Sequence, residues 1–88
     1  MKKQIFSFDE LQEIGFTELS GDSLDDGGYY RWWRYSVNDV ELDITYEFNS
    51  DGIFCGGTVD LCSVELHKDV SRENIKLLLF LLKNPKIK

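Results

Sequence analysis

The chain has 88 residues, 42% of them hydrophobic and 14% aromatic, with a formal charge of −6. This length gives a single domain over residues 1–88, and the composition excludes a disordered tail as the main state. Residues 9–65 hold fourteen Asp and Glu against Arg31 and Arg34 alone, a field that repels phosphate backbones and anionic lipid and sets aside direct nucleic-acid and membrane binding.

Residues 1–15 carry Asp9, Glu10 and Glu13 where a secretory signal needs an apolar run. No stretch approaches the length of a membrane span. Ser7 and Glu10 have capping-box spacing, and Phe8, Leu11 and Ile14 then repeat on one side of a short helix that Gly15 ends. Phe16 to Ser20 reads as a brief edge strand, and GDSLDDGG at residues 21–28 as a polar loop.

Residues 29–37 and 40–48 are β-rich runs joined by Asn38-Asp39, two residues that tolerate positive φ. A two-residue connection fixes the register. Val37 then faces Val40, Tyr35 faces Leu42, Trp33 faces Ile44, Arg31 faces Tyr46 and Tyr29 faces Phe48, all on one face. The other face pairs Ser36 with Glu41, Arg34 with Asp43, Trp32 with Thr45 and Tyr30 with Glu47.

Asn49-Ser50-Asp51-Gly52 makes a second turn. Residues 53–61 return as a strand interrupted at Gly56-Gly57, by a bulge or a close backbone approach. Val59 and Leu61 point inward, Thr58 and Asp60 outward. Cys62-Ser63 is either a tight turn into Val64-Glu65-Leu66 or a kink in one long strand. A helix from about Ser71 to Lys83 follows, with Ser71 as N-cap, Glu73 in the first turn, Lys83 in the last and Pro85 beyond it. The expected fold class is a two-layer α+β domain. In it an antiparallel meander of three to five strands has the short N-terminal helix and the C-terminal helix packed on one face.

Catalytic chemistry is poorly supported. His67 is the only histidine, and a lone surface His far more often has no catalytic role. Two Cys and one His make no recognised zinc spacing. The Asp-rich 21–28 loop places Leu24 where an EF-hand needs an oxygen ligand. Gly27-Gly28 and Gly56-Gly57 lack the partners of a phosphate-binding loop. Asp43 and Glu47 stand on an open sheet rather than in a cleft that would raise a pKa. We therefore expect no enzyme, no cofactor and no metal site. On one extended strand Cys55 and Cys62 are about 23 Å apart, too far for a disulfide without an intervening turn. They read as reduced thiols in a cytoplasmic protein.

Two surfaces ask for an explanation. GGYYRWWRYS, residues 27–36, puts Tyr29, Trp33 and Tyr35 into the core and leaves Tyr30, Trp32 and Arg34 on the opposite face, among Glu41, Asp43, Glu47 and Asp60. Trp, Tyr and Arg dominate interface hot spots. Tyr30, Trp32, Arg34, Asp43 and Glu47 are accordingly the candidate partner-binding residues, for a protein with a basic surface. The competing expectation is a solvated face, with Arg34–Asp43 an ordinary ion pair and Trp32 shielding the backbone. Size, acidity and lack of catalytic groups are similar to those of small phage-encoded anti-defence proteins, including some anti-CRISPRs, a likeness of type that no motif carries. It suggests an inhibitor of a nucleic-acid-handling protein. The second surface is the C-terminal helix, apolar almost all round. Ile75, Leu78, Leu79 and Leu82 face the sheet, and Leu77, Phe80 and Leu81 need either the N-terminal segment (Ile5, Phe6 and Phe8) or a second copy to cover them, as in a homodimer. Covering by the N-terminal segment is the first expectation.

Overall fold

The computed structural model describes residues 3–66 and 70–83. His67, the single histidine, and Pro85 lie outside the described residues. The elements run α1 (Phe8–Ile14), β1 (Thr17–Ser23), β2 (Tyr29–Val37), β3 (Val40–Phe48), β4 (Phe54–Leu61), β5 (Val64–Glu65) and α2 (Arg72–Lys83). The five strands form one antiparallel meander in chain order.

Local chemistry sets each boundary. Ser7 and Glu10 form the full capping box, each side chain accepting from the other's backbone N–H, and Gly15 ends α1 at φ 120°. Ser71 starts α2 in a related way, exchanging reciprocal bonds with Asn74, where a capping box has Glu or Gln. Asn38 and Asp39 take φ 51° and 65°, the all-positive turn that matches strand twist. Every β2–β3 pair follows the expected register. Asn49 builds the next turn, its Oδ1 accepting from the N–H groups of Asp51 and Ile53.

The alternatives left open at residues 53–66 resolve into definite shapes. At Cys55 the β3–β4 register slips by one residue, a bulge between Glu47 and Phe48 on the opposite strand. Beside it, a Cβ on Gly57 would lie 2.1 Å from the Thr45 carbonyl oxygen, so the close approach requires glycine. Cys62 and Ser63, at φ 50° and 70°, form a second two-residue turn, into β5. Both cysteines are exposed.

One sheet face carries the core. Trp33, Leu42, Ile44, Tyr46, Phe48 and Val59 are buried there against Ile5, Phe6, Leu11 of α1, and Ile75 and Leu79 of α2. Each fully buried side chain of this kind contributes about 1.5–3 kcal/mol of transfer free energy. Phe8 stacks on Trp33 at 5.5 Å between centroids and meets Phe48 edge-on at 5.9 Å. Two expectations need correction. Ile5 and Phe6 go into this core rather than over the outer side of α2, so Leu77, Phe80 and Leu81 remain 59%, 61% and 55% exposed. The edge strand also runs three residues beyond Ser20, taking Gly21, Asp22 and Ser23 from the expected loop.

Arg31 is half-buried on the core side: its guanidinium lies 4.2 Å from the Phe8 ring centroid and pairs with Glu18 through both Nε and Nη2. A bulge between Glu18 and Ser20 allows this, and Gly21, opposite Arg31, leaves the side chain room. The Arg31 hydrogen bonds hold the Glu18 carboxyl below its ordinary value, against the opposing effect of its own burial.

Candidate protein-interaction face

The face opposite the core is built from alternate residues of all five strands. The register arranges them in cross-strand rows: Asp22, Tyr30, Glu47 and Gly56; Ser20, Trp32, Thr45 and Thr58; then Thr17, Arg34, Asp43, Asp60 and Glu65. Ser36 and Glu41 complete it at the β2–β3 turn. Neither Tyr30 nor Trp32 belongs to the hydrophobic core or packs against it.

All five candidate residues, Tyr30, Trp32, Arg34, Asp43 and Glu47, therefore share this face. Arg34 and Asp43 join directly: Nε donates to Oδ1 at 2.8 Å and Nη2 to Oδ2 at 3.0 Å, the two-pronged geometry that distinguishes Arg from Lys. The same guanidinium reaches Glu41 at 3.4 Å and sits 5.3 Å from the Trp32 ring centroid. Hydrogen bonding to Asp43 raises the Arg34 pKa further, so its charge is permanent. Tyr30 and Glu47 are cross-strand neighbours one row beyond Trp32.

Charge on this face is unbalanced. Among the described residues, six carboxylates (Asp22, Glu41, Asp43, Glu47, Asp60 and Glu65) surround the single cation Arg34. Asp43 and Glu41 engage it. Among the described residues, Asp22, Glu47, Asp60 and Glu65 have no basic group within ion-pair distance. The Asp60 carboxyl is pushed up first by burial, then by the charges of Glu65 and Asp43. These groups are spread along strands rather than converging: among the described residues no three of His, Cys, Asp or Glu are placed to hold a metal ion.

Asp22 and Glu65 were missed as members of this face. Their signal is the alternation itself, which reaches them once β1 is carried on to Ser23 and the chain is turned at Cys62-Ser63. Elsewhere, a groove of about 610 Å³ runs along β1, walled by the Arg31–Glu18 ion pair, Leu19 and Tyr30. Among the described residues no helix is long and apolar enough to cross a membrane. No family model, curated protein or solved structure matches this chain.

Proposed function

We propose that this protein acts by binding another protein through the open sheet face, without catalysis, and that the partner presents a basic surface. One observation carries the reading: a half-buried Trp32 stands in the middle of a sheet face where, among the described residues, six carboxylates surround a single cation. A solvated face needs charge for solubility but has no need of Trp at its centre, where Thr or Lys is commoner. Trp32, Tyr30 and Arg34 supply the large contact area and polar groups of a hot spot, and the surrounding carboxylates supply steering and register. The most concrete form is an inhibitor of a nucleic-acid-handling protein in the cytoplasm, occupying the basic surface with which that protein holds its nucleic acid. Two exposed thiols suit a reducing compartment.

The test uses the purified protein as bait in a lysate of its native cells, wild type beside Trp32→Ala. A partner held by wild type, lost by the variant and released as salt rises supports the reading, because screening acts on charge complementarity. Equal capture by the two baits contradicts it.

One observation favours a second reading, a module that homodimerises through α2. Leu77, Phe80 and Leu81 point away from the sheet and stay more than half exposed. Such an association is driven by apolar burial and tolerates salt. Light scattering at two concentrations separates the readings, since a strict monomer at high concentration removes the dimer.

A further inference from the structure

The partner's local structure follows from how the open face is made, given the reading above that this face binds a basic protein. Strands β2 and β3 are interior, and each is hydrogen-bonded on both sides. Their face therefore offers side chains only. An extended segment laid over it would keep its own N–H and C=O groups away from water without partners, whereas a helix arrives with those groups already paired. Strand addition belongs to sheet edges, and both edges here are blunted: β1 carries a bulge and two acidic residues, and β5 is two residues long.

The charges give the spacing. Asp43 and Glu47 lie four residues apart on β3, and so do the two acidic rows they belong to, at about 13 Å. Between those rows the ground beside Trp32 is low. Thr45 and Thr58, which follow Trp32 across the strands, are short, and at the end of the Glu47 row nothing lies within 4 Å of where a Cβ on Gly56 would stand. Arg34 already shows how a guanidinium settles here, beside the indole and on a carboxylate. A helix returns to the same side after seven residues, about 10.5 Å along its axis, and flexible basic side chains span the remainder.

We infer that the occupant is an α-helix of the partner lying along β2 and β3. It carries Arg or Lys seven positions apart, reaching Asp60 and Glu65 at one end and Glu47 and Asp22 at the other, with a small or apolar residue over Trp32.

The test titrates isotope-labelled protein with three capped synthetic peptides of one charge. One is an alanine-based helix with Arg at i and i+7 and Leu between. The second has the same composition with Arg at i and i+5, on opposite sides. The third is held extended by prolines. The expected result is that the first binds about tenfold tighter than the others, shifts the Trp32 indole N–H signal, and loses that advantage against the Glu47→Gln/Asp60→Asn protein. Equal or tighter binding by the extended peptide, still shifting Trp32 and still lost in Trp32→Ala, overturns the helical occupant and leaves the face reading standing. Equal binding by all three with Trp32 unmoved overturns both. If none binds at millimolar peptide, the helical occupant is overturned, and the lysate capture alone decides the face.

Discussion

The Tyr46 hydroxyl holds both backbone polar groups of Phe6: it accepts from the Phe6 N–H at 2.9 Å and donates to the Phe6 carbonyl at 2.9 Å. Residues 40 apart in sequence are thereby joined inside the core, at a point where an extended segment would otherwise bury an unpaired peptide. This contact also accounts for the exposure of Leu77, Phe80 and Leu81, because the segment expected to cover them is held against the core face of the sheet.

Replacing Tyr46 by Phe keeps the ring and strands those two backbone groups. Stability should fall by about 1–3 kcal/mol, with an unchanged dependence on denaturant concentration. Burial pushes the Tyr46 phenol from 10.0 to about 12. A folded-state pKa above the unfolded one gives a contribution that is whole below pH 10 and lost as pH rises through 12. Denaturation across that range should show a decline in wild type that is absent from Tyr46→Phe. The same decline in both would contradict this assignment.

Glu10 links three elements. Its carboxylate takes the Arg72 guanidinium first and the Ser7 N–H second, which lowers its pKa from 4.5 to about 2. Arg72 also donates to the Ile5 carbonyl and lies 4.8 Å from the Phe6 ring centroid, so the contact ties α1, α2 and the N-terminal segment together. A lowered folded-state pKa gives stability that is present above 4.5 and lost as pH falls through about 2. Glu10→Gln should therefore be less stable than wild type at pH 7, and the gap should close as pH approaches 2. A gap independent of pH would show that the charge is not involved.

Asp60 should separate stability from binding. Burial, Glu65 and Asp43 raise its pKa, in that order. The sign is therefore opposite to that of Glu10: its contribution is whole below the unfolded pKa and lost as pH rises through the folded one, so ionised Asp60 is a cost at neutral pH. Asp60→Asn should raise the Tm at pH 7 and weaken partner capture. A variant that lost both would mark Asp60 as structural.

Much of the fold was legible because its signals are short-range. Asn38-Asp39 allows one tight turn, and period-two alternation then carries the register to Tyr29 and Phe48. The Ser7–Glu10 box and Gly15 mark α1 as directly. What escaped depends on distant partners. The edge strand is expected only to Ser20; its continuation through Gly21, Asp22 and Ser23 has little β character and is exposed, and it is strand because it pairs with Arg31, Tyr30 and Tyr29 of β2. Cys and Ser are poor residues for positive φ, so nothing local decides the turn at Cys62-Ser63, which the β4–β5 pairing and a Cys62 N–H bond to the Glu41 carbonyl hold in place. The register that builds the candidate face was read correctly across β2 and β3, and its margins incompletely, for the same reason. Asp22 joins it only through the continuation of β1 past Ser20, and Glu65 only through the turn at Cys62-Ser63, one of the two shapes the sequence left open.

Trp32 and Trp33 are adjacent in sequence and lie on opposite faces, one half-buried on the open side and one 2% exposed in the core. Their two indole N–H signals, followed in labelled protein as the captured partner is added, test the central claim most directly. Binding through the open face predicts a shift or broadening of Trp32 with Trp33 little changed. Binding that leaves the Trp32 signal in place while the Leu77 and Leu81 methyl groups move would contradict it and assign the interaction to the outer side of α2.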